Sequence, residues 1–240
     1  LLSDRGIDLN RLVVVNVVTI EEFRSKALKA VDIYLKKSEE ERKPCMFVLD
    51  SLGMLSTEKE ITDALNDKQV RDMTKSQLVK GAFRMLTLKV GQANLPMIVT
   101  NHSYDVIGSY VPTKEMGGGS GLKYAASTII YLSKKKEKDG TAVVGNIIKA
   151  KTAKSRLSKE NKDVEIRLFY DDRGLDRYYG LLELGEIGGL WKNVAGRYDL
   201  GDGKKIYAKQ ILKEPEAYFT EKVMEQLDQI ARKEFSYGES

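Results

Sequence analysis

Two apolar runs in this sequence each end in polar side chains that are suited to bind a metal ion or a phosphate. The first run, residues 45–49, is followed by Asp50 and Ser51, and the second, residues 96–100, by a polar pair that ends in His102. An Asp at the end of a buried strand is fixed in place and can hold Mg²⁺ directly or through water. A histidine at a strand end can hydrogen-bond a phosphate. A turn role for Asp50 and a partly buried, backbone-bonded His102 remain the alternatives.

A glycine-rich segment, residues 116–121 (MGGGSG), precedes an expected helix start at Leu122. Glycines in that position let backbone N–H groups approach an anion. The segment closes a polar stretch, residues 103–121, whose length is typical of functional or disordered loops. A phosphate-binding element and a plain hinge both fit. The sequence contains no GxxxxGK[ST] phosphate-binding loop.

Two pairs of cations have spacings that place them on one side of an element. Lys80 and Arg84 lie four residues apart on a helix predicted over residues 72–90, so they share a face that can straddle a phosphate backbone. Lys149 and Lys151 alternate with apolar residues, as on one side of a strand. Solvated faces are the alternative for both pairs.

The expected elements that position these residues alternate between strand and helix and then become antiparallel. A capping box at residues 19–22 predicts a helix that extends to about residue 37. The Asp139-Gly140 pair predicts a hairpin turn, and Asp202-Gly203 predicts a second one. A final helix is expected over residues 215–235. The expected strands are residues 12–18, 45–49 and 96–100 of a parallel sheet, followed by 127–132, 143–148 and 164–170 as antiparallel additions.

Composition restricts the possible classes of protein. The 240 residues suit one main domain with a small appendage, and they contain no apolar run of the ~20 residues that a membrane span needs. With Cys45 as the single cysteine, an internal disulfide is impossible, and we expect a cytoplasmic location. The net charge is +5, yet residues 134–162 alone carry ten Lys or Arg against three acids. This basic stretch indicates either a polyanion partner or a solvated hairpin.

Taken in order, these segments resemble the RecA family, and most of all the UvsX recombinases of T-even-like phages. The resemblance rests on residues 47–53 (FVLDSLG), 98–102 (IVTNH), 116–121, 148–151 (IKAK) and 179–182 (YGLL), with phage-like DALN at 63–66 and DMT at 72–74. It implies an α/β fold: a RecA-like P-loop ATPase core at residues 1–182, mostly a parallel sheet extended by antiparallel strands. A small α+β C-terminal domain at residues 183–240 is expected to help admit duplex DNA.

The resemblance also implies roles for individual residues, with ATP and Mg²⁺ as cofactors. Asp50 would be the Walker B carboxylate, with Ser51 beside it at the metal, and His102 the sensor of the γ-phosphate. Lys149 and Lys151 would reach the ATP of a neighbouring subunit, and both count with Asp50 and His102 as catalytic. Residues 63–72 and 103–121 would be the two DNA-binding loops. The expected DNA contacts are Lys80, Arg84, Lys114, Met116, Gly117, Gly118, Gly119 and Ser120.

The function that the resemblance implies is ATP-dependent homologous pairing and strand exchange in a helical filament. The expected partners are single-stranded and double-stranded DNA, other copies of the protein, a phage mediator and a single-strand-binding protein, in the host cytoplasm and without a membrane. The sequence resembles the part of the family that follows the Walker A loop, so we interpret it as a partial chain that is inactive alone. A ring-forming helicase, a clock-type ATPase and a non-catalytic DNA-binding paralogue are the alternatives.

Overall fold

The computed structural model describes residues 6–68, 73–105, 114–200 and 204–238. The chain divides into two compact units, Leu1–Ala126 and Ser127–Ser240. No helix in these described ranges is long and apolar enough to cross a membrane. The helices are α1 (Ile20–Lys36), α2 (Glu58–Leu65), α3 (Lys75–Gln92), α4 (Ser120–Ala125), α5 (Leu181–Ile187), α6 (Ala208–Ile211), α7 (Pro215–Tyr218) and α8 (Glu221–Phe235). The strands are β1 (Phe47–Leu49), β2 (Met97–Val99), β3 (Ser103–Asp105), β4 (Lys114–Met116), β5 (Thr128–Asp139), β6 (Ala142–Ser155), β7 (Asp163–Phe169), β8 (Lys192–Val194), β9 (Arg197–Asp199) and β10 (Lys205–Tyr207).

The first unit is built on a parallel pair of strands, as the sequence predicts. β1 and β2 run side by side, with Leu49 opposite Val99. Their inner side chains pack with α1 and α3 in one apolar core, because each of those helices presents a stripe of buried residues. The buried members of that core are Ile20, Phe23, Ala27, Leu49, Leu52, Leu55, Val79, Ala82, Phe83, Leu86 and Leu122.

Helix α1 begins at the predicted cap. The hydroxyl of Thr19 accepts the backbone N–H of Glu22 at 3.1 Å, while the Glu22 carboxylate accepts the N–H of Val18 at 2.9 Å. The two side chains satisfy N–H groups at the helix start, with the carboxylate reaching one residue further back than a standard capping box.

The strand predicted over residues 12–18 is wrong. Those residues pair with no described strand, and the nearest contact of this type is a single parallel bridge between Thr19 and Ser56. Val13 and Val14 are 85% and 73% exposed. Apolar, β-branched residues become a buried strand only where a neighbouring strand takes up their backbone hydrogen bonds.

Helix α2 was not predicted, although its signal is present in the sequence. The hydroxyl of Thr57 accepts the N–H of Glu60, and the Glu60 carboxylate accepts the N–H of Thr57, both at 3.0 Å. This reciprocal capping box places Asp63 in the last turn of a helix rather than in a loop. Residues 66–68 of the predicted first DNA-binding loop follow the helix, and residues 69–72 lie outside the described residues.

The second unit contains the predicted antiparallel strands in the order β5-β6-β7. The expectation that they extend the parallel sheet is wrong among the described strands, because they form a three-stranded sheet of their own. The turn between β5 and β6 contains Gly140 at φ +60°, a left-handed conformation that glycine adopts at little cost. β5 and β6 are longer than predicted, extending to Asp139 and Ser155.

A second apolar cluster lies towards the C-terminal end of the second unit. Its buried members are Leu182, Trp191, Tyr198, Ile211, Phe219 and Leu227. The helix predicted over residues 215–235 is present but not continuous, because it is interrupted at Phe219 between α7 and α8. Phe219 is buried there, with its ring centroid 5.2 Å from that of Tyr178. The domain boundary at residue 182 stays a prediction, and the hairpin expected at Asp202-Gly203 lies outside the described residues.

Candidate functional site

The tips of the two parallel strands lie side by side at one edge of the first unit. The carboxylate of Asp50 follows β1, and its Oδ1 atom accepts a hydrogen bond from the Thr100 hydroxyl at 2.6 Å. The N–H of Leu52 also donates to the carbonyl of Thr100 at 3.0 Å. The peptide bond between Asp50 and Ser51 is cis. These contacts fix an exposed carboxylate at the carboxyl end of the sheet, where ligands of open α/β folds bind.

The imidazole of His102 lies directly beside the turn that follows β1. A Cβ atom built on Gly53 would stand 2.5 Å from Cδ2 of His102, so a larger residue at position 53 would displace the ring. The ring is exposed rather than partly buried. The structure therefore brings His102 and the turn after Asp50 to the same rim.

The glycine-rich segment leaves from this rim. The N–H of Gly117 donates to the carbonyl of His102 at 3.2 Å, and Nδ2 of Asn101 donates to the carbonyl of Gly117 at 2.7 Å. Oδ1 of Asn101 accepts the N–H of His102 at 2.9 Å. One amide side chain thus connects the end of β2 to the glycine-rich segment. The sequence analysis assigns no role to Asn101. An amide at a strand end, which can both donate and accept hydrogen bonds, is the feature of the sequence that could have indicated this connection.

The glycines let the segment approach α3 closely. Gly118 and Gly119 have φ values of +91° and +75°, which favour glycine. A Cβ atom on Gly121 would stand 2.6 Å from Cβ of Lys80, and one on Gly119 would stand 3.3 Å from Cβ of Ser76. The absence of side chains at these positions therefore sets the distance between the segment and the helix. Ser120 begins α4, and its side chain lies outside what the structure describes.

The exposed side of α3 carries the predicted cations. Lys80 and Arg84 are exposed one turn apart, and neither forms an ion pair with any residue that the structure describes. The opposite side of the helix is buried in the core through Val79, Ala82 and Phe83. The remaining predicted residues lie at the base of the loop, where Lys114 is exposed on β4 and Met116 packs against the core. Residues 106–113 of the predicted second loop lie outside the described residues.

A cavity of about 520 Å³ opens between the glycine-rich segment and the start of α3. It is lined by Leu52, Gly53, Met73, Lys75, Ser76, Val79, Asn101, Tyr104, Gly117 and Gly118. Apolar, aromatic, amide and cationic groups all face this space, as in many small-molecule sites.

Lys149 and Lys151 lie in the second unit, both exposed and two residues apart on β6. Lys149 forms an ion pair with Asp163 on β7. A hydrogen bond to the Asp163 carboxylate raises the pKa of Lys149, and the same contact lowers the pKa of Asp163. Lys149 is therefore already paired with a carboxylate of the same chain in the absence of a ligand.

Beside this pair, Tyr179 connects the sheet to the following segment. Its hydroxyl donates to Glu165 at 3.1 Å, and the guanidinium of Arg167 lies 4.8 Å from its ring centroid. Burial, together with the bond to the Glu165 carboxylate, raises the pKa of Tyr179 to about 12. The phenol is therefore stabilised in its protonated form.

The chain belongs to the RecA family. Residues 3–176 match the RecA N-terminal domain. Over 198 residues, 82% of this chain and 49% of the relative, it is 35% identical to the "Recombination and repair protein" of Enterobacteria phage T4. It is 30% identical to the RecA protein of Chloroherpeton thalassium over 72% of this chain and 50% of the relative. The RecA protein of Thermus aquaticus is 26% identical over 94% of this chain and 66% of the relative. The chain spans about half the length of the first two of these relatives.

Replacement of Gly121 by Ala tests the close approach to α3. The added methyl group clashes with Lys80, so we expect the free energy of unfolding to fall by about 1–3 kcal/mol. Gly81→Ala is the matched control, because a Cβ atom there meets nothing within 4 Å in a helix interior. It should stabilise the chain by about 0.5–1 kcal/mol. Urea denaturation measures both, and equal effects would contradict the packing described.

Replacement of Tyr179 by Phe tests the raised pKa. Because the phenol pKa rises from 10.0 to about 12 on folding, the protonated form contributes stability below pH 10 that is lost as pH rises towards 12. Tyr179→Phe should therefore lower stability at pH 8 and flatten its decline between pH 10 and 12. Urea midpoints across this range measure the slope. The exposed Tyr170→Phe is the control for loss of a phenol, and a slope in Tyr179→Phe no flatter than that of the wild type would refute the coupling.

Proposed function

We propose that this chain acts in an ATP-dependent DNA recombinase, which pairs homologous strands and exchanges them in a helical filament on single-stranded DNA. The observation that carries the proposal is the set of hydrogen bonds joining Asn101 and His102 to Gly117. Through them, a ligand that moves the tip of β2 moves the glycine-rich segment as well. The names of the relatives, RecA and a phage recombination and repair protein, support the same reading.

The nucleotide side of the site is proposed at the tips of β1 and β2. Asp50 fits a hydrated Mg²⁺, because its exposed carboxylate is fixed by Thr100 through one oxygen. When bound with ATP, Mg²⁺ would neutralise charge on the phosphates. Ser51, which follows Asp50 in the chain, would stand beside the metal, and His102 would donate a hydrogen bond to the terminal phosphate. Lys149 and Lys151 would act on the ATP of a neighbouring subunit.

The DNA side is proposed along α3 and the glycine-rich segment. Lys80 and Arg84 are exposed on α3, and Gly121 touches the Lys80 side chain. Exposed cations beside a glycine backbone suit phosphates rather than base edges, so binding should tolerate sequence and depend on salt. Residues 183–240 would form the small domain that admits duplex DNA. A phage mediator and a single-strand-binding protein are the further proposed partners, in the host cytoplasm.

Replacement of Arg84 by Ala tests the DNA side in the intact protein. Loss of one phosphate contact should weaken binding to a single-stranded oligonucleotide about uniformly across sequences and reduce the slope of log K against log[salt] by about 0.7. The exposed Lys29→Ala on α1 removes the same charge elsewhere and should leave that slope unchanged. Fluorescence anisotropy at several salt concentrations gives both values. An unchanged slope in Arg84→Ala would show that Arg84 contacts no phosphate and belongs to a solvated face of α3.

Replacement of His102 by Ala tests the connection between nucleotide and DNA. We expect ATP to bind still but no longer to tighten DNA binding, because the contact from phosphate to rim is lost. Oligonucleotide affinity with and without ATP measures this coupling, and Ser25→Ala at an exposed position of α1 is the control. Electron microscopy of the wild type with ATP and single-stranded DNA should show helical filaments. Closed hexamers without filaments would contradict the proposed recombinase and favour a ring-forming ATPase.

A further inference from the structure

The phenol of Tyr179, to which the proposed function gives no role, is fixed from two directions in the second unit. Its ring centroid lies 4.8 Å from the guanidinium of Arg167, and its hydroxyl donates to the Glu165 carboxylate at 3.1 Å. Two nitrogens of Arg167 donate in turn to the carboxylate of Asp176, so the guanidinium is a fixed surface for the ring. The hydroxyl therefore has a defined position on this face of the sheet.

The carboxylate that accepts this hydrogen bond stands across the sheet from Lys149. Glu165 on β7 lies directly opposite Lys149 on β6 in the antiparallel pairing. Directly opposed residues of such a pair point to the same face, and opposite charges in these positions attract each other. Register alone would therefore pair Lys149 with Glu165. Lys149 instead forms its ion pair with Asp163, which lies opposite Lys151.

Glu165 is already engaged by two other donors. The Tyr179 hydroxyl donates to its Oε2 atom, and the ammonium group of Lys135 lies 3.0 Å from its Oε1 atom. The hydrogen bond from Lys135, followed by that from Tyr179, lowers the pKa of Glu165. Because burial and the bond to Glu165 raise the pKa of Tyr179 to about 12, the phenol is a donor at neutral pH. Lys149 therefore pairs with one carboxylate, although a second stands opposite it.

The number of carboxylates at Lys149 determines how readily this lysine can exchange its partner. The side chains of Lys149 and Asp163 are 51% and 41% exposed, so their ion pair is weak and screened by salt. An incoming anion can replace one such carboxylate at little cost. A second carboxylate at the same ammonium group would have to be replaced as well, which would raise the cost of the exchange.

We propose that Tyr179 is a positioning residue that keeps Glu165 away from Lys149, so that this lysine stays free to exchange Asp163 for a phosphate of ATP. The inference rests on the proposed function, in which Lys149 acts on the ATP of a neighbouring subunit. It adds to that function a residue that acts on the lysine only through Glu165. Lys135 holds the same carboxylate through a side chain that is 61% exposed, a contact that salt weakens, whereas the phenol is fixed by its neighbours.

The first test measures the state of Lys149 in this chain without any nucleotide. Tyr179→Phe removes the hydroxyl and keeps the ring, which frees one oxygen of Glu165 to turn towards Lys149. A second carboxylate would favour the charged ammonium group, so acetylation of Lys149 at pH 8 should slow about twofold or more relative to the exposed Lys29. Mass spectrometry of the labelled peptides measures the ratio, and urea denaturation verifies that each variant is folded.

Glu165→Gln in combination with Tyr179→Phe tests whether the effect passes through that carboxylate. The double variant has no second carboxylate to offer, so the acetylation rate of Lys149 should return to the wild-type value. Tyr237→Phe removes an exposed phenol elsewhere in the second unit and should leave the rate unchanged. An unchanged rate in Tyr179→Phe, or a slower rate that persists in the double variant, would overturn the proposal.

The second test uses DNA-dependent ATP hydrolysis by the intact protein. Tyr179→Phe should raise the KM for ATP about twofold to fivefold, the range that an exposed ion pair gives, and the double variant with Glu165→Gln should restore it. A raised KM that the double variant keeps would show a merely structural role and overturn the positioning role.

Lys149→Gln separates this inference from the proposed function. It should raise the KM for ATP at least as much as Tyr179→Phe does. If Lys149→Gln raises the KM and Tyr179→Phe does not, the positioning role alone is wrong. If Lys149→Gln leaves the KM unchanged, the proposed action of Lys149 on ATP is wrong, and the role of Tyr179 fails with it.

Discussion

The hydrogen bonds between the end of β2 and Gly117 are the constraint on which the candidate site depends. Asn101 binds the carbonyl of Gly117 and the N–H of His102, so the strand tip and the glycine-rich segment form one hydrogen-bonded corner. Without these bonds, the glycine-rich segment would be joined to the strand tip only through the pairing of β3 with β4, where Ser103 lies opposite Met116. At one end of this corner, β2 packs against the core through the partly buried Met97 and Val99, and at the other end lies the glycine-rich segment. The corner is therefore a natural place for a ligand to act on both.

The glycines of the segment bring this corner onto the helix beneath it. Because Gly121 has no side chain, α4 begins in contact with the Lys80 side chain, and Gly118 lies over Val79. The same helix buries Val79 and Phe83 in the core and exposes Lys80 and Arg84. Helix α3 therefore supports the glycine-rich segment on one side and exposes cations on the other. A ligand that binds these cations contacts a fixed surface.

Those parts of the fold and site that depend on local pattern could be predicted from sequence. The apolar runs that end at Asp50 and His102 identify parallel strands, and the carboxyl ends of parallel strands meet at one edge. What depends on distant partners could not be predicted. Residues 12–18 have the composition of a buried strand but pair with no described strand, and the contact between Gly121 and Lys80 joins segments that no spacing relates.

The register of the antiparallel sheet was beyond sequence reasoning for the same reason. Lys149 and Lys151 were expected to be free to meet a phosphate, and nothing near them in the chain indicates the Asp163 carboxylate. The contact between Lys149 on β6 and Asp163 on β7 depends on the register in which the two strands pair. A shift of the register by one residue would place the Lys149 side chain on the other face of the sheet. The roles of both lysines therefore stay predictions.

The ion pair between Lys149 and Asp163 changes what an incoming anion must do. Such an anion would replace a carboxylate already bound to the ammonium group, so its net gain is the difference between two attractions rather than the whole of one. Monovalent ions, which offer little more than Asp163 does, gain almost nothing by the exchange. Both side chains are largely exposed, so the pair is weak and screened by salt, and a multiply charged group held in place by further contacts would displace Asp163 at little cost.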